Sequence, residues 1–179
     1  MKQSGATLME LMVVLAIAAI LLAVAIPGFA SLYQASLLSS VTNELVSSLH
    51  LTRSEAIKRR SRAVMCPSAT GTSCAGSGGW HQGWVVFHDP NNNAALDAGE
   101  TVILARPGLP AGFRVTGNAP VSRYVSYTPA GGAKLISGAF QAGTLTLCND
   151  SGAGNAARQS VISSTGRPRT VRVALAFCP

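Results

Sequence analysis

Charge is scarce in this chain. Asp, Glu, Lys and Arg make up only 12% of its 179 residues, against about 25% in an ordinary soluble domain. Acidic residues are the scarcer sign, seven in all and six after Glu10, so the paired carboxylates of acid–base catalysis are hard to assemble. His50, His81 and His88 stand in separate contexts and offer no metal-ligand triad. No CxxC pair marks a zinc site, no GxxxxGK loop cradles a phosphate, and no nucleophile elbow presents a serine. These gaps argue against an enzyme and call for neither cofactor nor metal. Internal repeats and long low-complexity tracts are also missing.

What is present is unevenly placed. From Ala6 to Ile26 the chain is almost wholly apolar, broken by one charge, Glu10. At about 1.5 Å per residue, roughly twenty such residues match a hydrocarbon core of about 30 Å. A carboxylate inside that run is costly unless paired or held near an interface. An ordinary secretory signal keeps its charge ahead of the apolar run and ends in a small-residue cleavage site, and this segment fits that pattern poorly. Beyond Pro27, Leu37, Val41, Leu45 and Leu49 recur every fourth residue and Ile57 continues the row, with Leu38 beside them. That is the stripe of an amphipathic helix facing a core, and it should end near Arg60. The cluster Lys58, Arg59, Arg60 and Arg62 sits where the helix dipole favours cations.

After Ala63 the pattern changes to strands and turns. Runs at Ala63–Cys66, Gly83–His88, Val102–Arg106, Phe113–Thr116, Arg123–Tyr127, Thr144–Cys148, Gln159–Ser163 and Thr170–Phe177 alternate with period two between glycine, proline and asparagine clusters. No crossover helix follows the first, so the pairing should be antiparallel. The expectation is an α+β fold, a long N-terminal helix packed on an antiparallel β-sheet head. Its parts are 1–5 as a leader, 6–28 as a transmembrane segment, 29–62 as an amphipathic half and 63–179 as a β-rich head.

Four cysteines, Cys66, Cys74, Cys148 and Cys178, follow the apolar segment. An even count there predicts two disulfides in an oxidising compartment. Three connectivities are possible; the preferred one joins Cys66 to Cys74 across a small loop and Cys148 to Cys178, tying the last strand to the sheet. The loop Asp89–Glu100 places oxygen side chains at calcium-loop positions one, three, five, nine and twelve. Ala94, however, stands where the sharp-turn glycine belongs, and Asn and Asp are ordinary turn residues. Calcium is the minority reading.

The balance of charge is basic, 14 cations against 7 anions for a net +7, and eleven of the cations are arginine. Arginine suits bidentate contact with phosphate or carboxylate; a basic balance raises the odds of a polyanionic partner but also occurs in inert surfaces, so charge alone decides nothing. Near the C-terminus, Gly166-Arg167-Pro168-Arg169 combines a turn-permitting glycine with a stiffening proline. In an extended chain Arg167 and Arg169 project to the same side about 7 Å apart, near the phosphate spacing along one strand. No acidic residue follows Asp150, so Arg158, Arg167, Arg169 and Arg172 face no local competitor. Such contacts would be sequence-independent and salt-sensitive; spacing alone favours instead a solvated hairpin tip whose arginines serve only solubility.

Two strings carry a resemblance. Gly5-Ala6-Thr7-Leu8-Met9-Glu10-Leu11 resembles the class III signal of type IV prepilins and pseudopilins. That implies cleavage between Gly5 and Ala6 by prepilin peptidase, methylation of the new N-terminus, and a role for Glu10 in neutralising the amine of a neighbouring subunit. Opposite charges in lipid cost far less together than apart. Ala6 departs from the family's usual phenylalanine. Gly79-Trp80-His81-Gln82-Gly83-Trp84-Val85-Val86-Phe87-His88-Asp89 is similar to a block of the GspH/FimT family of minor pilins and pseudopilins. The likeness extends over nearly the whole chain, to the GRPR segment. Among FimT-like members a GRxR motif is associated with DNA binding in natural transformation, which implies Gly166, Arg167, Arg169, Arg172 and Arg158 as the DNA-binding set. The tryptophans fit core packing better than base stacking, because they lie beside apolar strands. The resemblance implies an inner-membrane subunit with its head in the periplasm, later incorporated into a pilus, whose partners are other pilins, prepilin peptidase and double-stranded DNA. Two alternatives are a structural tip minor pilin without a nucleic-acid role and a pseudopilin of type II secretion.

Overall fold

A single helix, α1 (Leu8–Arg59), opens the computed structural model, which describes residues 7–150 and 156–179. The leader, with Gly5 and Ala6, lies outside the described residues. The chain divides at Leu37/Leu38 into two units, and α1 contributes to both. In the first unit, the apolar side chains are exposed, Leu8 by 79% and Val24 by 76%. An 18-residue stretch of this helix reaches a mean hydropathy of 2.8 with none of it buried within the chain. It is long and apolar enough to cross a membrane.

In the second unit α1 buries Leu38, Val41, Thr42, Leu45, Ser48, Leu49, Thr52 and Ala56. This departs from the every-fourth-residue row expected from the sequence: Ile57 is 46% exposed and Ser48 is buried. The reason is geometric. Strict steps of four advance about 40° too far per step in a helix of 3.6 residues per turn, so the row winds off the core face while alternating steps of three and four stay on it. The buried hydroxyls are satisfied locally: Thr42 and Thr52 donate to the carbonyls of Leu38 (2.6 Å) and Ser48 (2.7 Å). Ser48 donates to the Glu44 carbonyl at 2.9 Å and accepts from Trp84 Nε1 at 3.0 Å.

The helix ends with Arg60 in the left-handed region (φ 51°). The Arg60 N–H donates to the Ile57 carbonyl and the Ser61 N–H to the Ala56 carbonyl, the pattern of a Schellman stop. The basic cluster is then dispersed. Lys58 and Arg59 pair with Glu55, whereas Arg62 turns inward, bonding Asn92 Oδ1, Ser126 Oγ and the Lys134 carbonyl.

Among the described residues eight strands follow: β1 (Ala63–Pro67), β2 (Trp84–His88), β3 (Val102–Arg106), β4 (Phe113–Gly117), β5 (Val125–Tyr127), β6 (Gly143–Asn149), β7 (Ala156–Ile162) and β8 (Pro168–Ala174). They make two four-stranded sheets, β3-β2-β1-β5 and β4-β6-β7-β8, in which every neighbouring pair is antiparallel. The head is therefore built from a pair of sheets. β1 is buried along its whole length and β2 along all but His88; Trp80 and Trp84 are fully buried, their indole N–H groups bonded to the Val121 carbonyl and Ser48 Oγ.

Cys66 in β1 is joined to Cys74, and Cys148 in β6 to Cys178. Because β7 lies between β6 and β8, the second bond brings the tail beyond Ala174 back across β7 and pins the edge strand at its C-terminal end. Replacing Cys148 and Cys178 by serine together releases a 30-residue cross-link and should lower stability by about 3–4 kcal/mol on the chain-entropy estimate. Urea unfolding of the full chain in detergent, followed by the fluorescence of the two buried tryptophans, measures it. An unshifted midpoint would contradict this role for the bond.

Candidate nucleic-acid interface

The GRPR segment forms the end of the β7–β8 hairpin. Ile162 and Pro168 are the last paired residues, and the Gly166 N–H donates to the Ser163 carbonyl at 2.8 Å, closing the turn. Proline is tolerated at Pro168 because it is the first residue of an edge strand. Gly166 is buried with φ +80°, and a β-carbon there would collide with the Gly131 carbonyl oxygen and lie 3.0 Å from the Tyr127 ring. Both backbone conformation and space demand glycine. Arg167 emerges exposed from the tip, and Arg169 is exposed one residue inside the strand.

The five residues expected to act together do not share a face. In the β7–β8 ladder Arg158 stands directly opposite Arg172, and Arg169 opposite Val161. Alternation places Arg158 and Arg172 on the side of the buried Leu145 and Leu147, through the rungs Leu147–Arg158–Arg172 and Leu145–Ser160–Thr170. Arg169 lies on the other side with Val171 and Val173. Arg167 and Arg169 thus form one group at the hairpin tip. Arg158, half-buried, and Arg172, exposed, form a second about 10 Å along the strand. β8 is an edge strand, so both groups are reachable together only from that edge.

Their electrostatic setting is one-sided. Among the described residues the ion pairs are Lys58 and Arg59 with Glu55, Arg106 with Glu44, and Arg114 with Asp150. Asp150, the acid nearest in sequence to β7, is thereby engaged by Arg114. Like charges directly opposite in a ladder repel, so the Arg158–Arg172 rung gains from an anion set between its two guanidinium groups. The scaffold also includes a residue that the sequence did not single out: Arg53 of α1, whose Nε donates to the Gly131 carbonyl at 2.8 Å. Arg53 lies 78 positions from Gly131, and no local pattern links the two. Tyr127, under the same turn, is fully buried, and desolvation holds its phenol well above its ordinary pKa.

At the other end of the chain, Thr7 and Glu10 form a capping box. Glu10 Oε2 accepts the Thr7 N–H at 3.0 Å and the Thr7 hydroxyl at 3.1 Å, and the Glu10 N–H donates back to Thr7 Oγ1 at 3.3 Å. The carboxylate expected to serve assembly is therefore already a helix cap within its own subunit.

In the Asp89–Glu100 loop the oxygens are turned to turn-making. The buried Asp89 accepts the N–H groups of Asn93 and Ala94. Asp97 accepts the side-chain amides of Asn91 and Asn93, which hold its pKa below the usual carboxylate value. Burial pushes Glu100 the other way, upward. Ala94 takes φ 56°, the conformation for which glycine would be preferred. No cluster of His, Cys, Asp and Glu suited to a metal occurs among the described residues.

Residues 41–173 match the family described as type II transport protein GspH, and residues 1–26 match the prokaryotic N-terminal methylation motif. No curated protein sequence matches the chain. Two crystal structures of the type IV minor pilin FimU of Pseudomonas aeruginosa (strain PAO1) are similar in fold. One aligns with a TM-score of 0.60 at 19% identity over 82% of this chain and 98% of its own. The other aligns with a TM-score of 0.58 at 19% identity over 79% of this chain and all of its own. The architecture is the type IV pilin fold.

Gly166→Ala should destabilise the head by more than about 1 kcal/mol, since it adds both strain and a backbone collision. Arg167→Ala, at an exposed site, should stay within about 0.5 kcal/mol of the parent. Thermal melting of the two variants side by side tests this, and equal melting temperatures would remove the packing role assigned to the glycine.

Proposed function

The chain belongs to the GspH family of minor pilins and pseudopilins, and on that premise we propose that its head captures extracellular double-stranded DNA through the β7–β8 edge for uptake in natural transformation. The observation that carries this reading is the set of arginines along the β7–β8 hairpin, Arg158 on β7, Arg167 at the tip, and Arg169 and Arg172 on the edge strand β8, without a carboxylate partner among the described residues. Arg167 and Arg169 stand about 7 Å apart along the strand and meet consecutive phosphates. Arg172, with Arg158 opposite, supplies a second contact further along. Phosphate contacts of this kind position a duplex without reading its sequence. The tryptophans take no part, being buried.

The N-terminus supplies delivery. Prepilin peptidase cuts between Gly5 and Ala6, the amine is methylated, and the apolar half of α1 holds the subunit in the inner membrane with its head in the periplasm. On assembly Glu10 exchanges its hydrogen bonds with Thr7 for the amine of a neighbouring pilin, and the head becomes part of the pilus. A structural tip role without DNA is the second reading, favoured by the likeness in fold to FimU. A pseudopilin of type II secretion follows from the family's own description.

Two outcomes are expected. The full chain in detergent should bind a fluorescent duplex at about 50 mM salt. The double variant Arg167→Ala/Arg169→Ala should weaken binding roughly a hundredfold and flatten the slope of log affinity against log salt by about 1.8. Unchanged binding by that variant would eliminate the site. Separately, mass spectrometry of pilus-associated protein should find an N-methylated Ala6 at the start, and Glu10→Ala should be absent from sheared filaments while remaining in membranes. Normal incorporation of Glu10→Ala would contradict the assembly role.

A further inference from the structure

The hairpin tip does not end the basic surface. Gly166 packs against the Gly131 carbonyl, and the same carbonyl accepts a hydrogen bond from Arg53 Nε at 2.8 Å. A β-carbon on Gly131 would itself meet Ile57 Cδ1 at 2.9 Å and Arg53 Nε at 3.2 Å. The turn bearing Arg167 is thus seated, through one glycine, on the face of α1 that carries Arg53. On that face lies a groove of about 460 Å³ lined by Ser47, His50, Leu51, Arg53, Ser54 and Ile57. Ser47, His50 and Ser54 recur at helical spacing along one side of it.

The unmatched groups here are donors. Arg53 belongs to none of the ion pairs among the described residues, and Glu55, its neighbour on α1, is occupied by Lys58 and Arg59. Its Nε is engaged by Gly131 and Nη2 lies beside the same glycine, so the guanidinium is held in place at the turn. A planar donor already fixed in this way loses little freedom when a phosphate arrives. Ser47 and His50, both exposed, add a hydroxyl and a ring nitrogen at the groove. A tetrahedral anion with several acceptor oxygens fits this arrangement, and the six residues that line the groove include no carboxylate.

We propose that the duplex track continues from the hairpin tip across the Gly131 turn onto α1, where Arg53, flanked by Ser47 and His50, binds a further backbone phosphate. This rests on the nucleic-acid reading of the hairpin. Arg53 is a binding residue here, beyond its service as a brace for the turn.

The test uses the full chain in detergent and a fluorescent duplex, with Arg53→Gln, Arg53→Lys and Arg167→Ala/Arg169→Ala compared across a salt series. Arg53→Gln should lose about tenfold in affinity at about 50 mM salt and lower the salt slope by about 0.9, the value for one phosphate; Arg53→Lys, which keeps the charge, should retain the parental slope. Parental affinity and slope in Arg53→Gln, with the hairpin variant defective, would overturn the extension and leave the hairpin site standing. Weaker binding of Arg53→Gln at an unchanged slope, with a lowered melting temperature, would reduce Arg53 to a brace and equally overturn it. No binding by the parent chain would remove the hairpin reading, and this proposal with it.

Discussion

One buried stripe of α1 organises everything beyond residue 38. Leu38, Val41, Leu45 and Leu49 leave water together. At roughly 1.5–3 kcal/mol for each fully buried aliphatic side chain, they supply much of the cohesion that a small, glycine-rich head needs. Polar contacts then fix where the strands lie against that stripe: Glu44 with Arg106 of β3, Ser48 with Trp84 of β2, and Arg53 with the Gly131 turn. Each leaves the helix about one or two turns after the last, so the helix acts as a ruler for the sheets. The turn that seats Gly166 is the far end of that ruler, so the candidate site rests on the core through Gly166, Gly131 and Tyr127.

The first half of α1 obeys a different solvent. Its apolar side chains are exposed within the chain, an arrangement that water penalises and a hydrocarbon environment or neighbouring helices reward. Glu10 is the exception that such an environment requires to be satisfied. The capping box with Thr7 satisfies it inside the subunit.

Scarcity of acid shapes the head in the same economical way. Glu55, Glu44 and Asp150 each engage cations, Asp89 and Asp97 are consumed by turn-making bonds, and among the described residues the arginines of β7, the hairpin tip and β8 are left without a carboxylate. Arg62 shows that a free arginine is not automatically a binding group: it is buried among neutral oxygens and braces β5 and the segment near Lys134. Position, more than count, separates the two uses.

The apolar run, the amphipathic half, the eight strands and the buried tryptophans were legible from residue order, because each follows from interactions within a few positions: period, turn chemistry and the spacing of small residues. The strand limits agree with that reading to within about three residues. Pairing was not legible. That Arg158 faces Arg172, that Arg169 lies on the opposite side from both, that the strands divide into two sheets, and that Ile57 leaves the core face all depend on register and on accumulated helical twist. Gly166 could be recognised as a turn residue from its neighbours; that it must also be small to meet Gly131, and that Arg53 holds that same carbonyl from 78 positions away, was decided by tertiary packing alone. Contacts across such separations leave no local periodicity, so only the folded backbone could specify them.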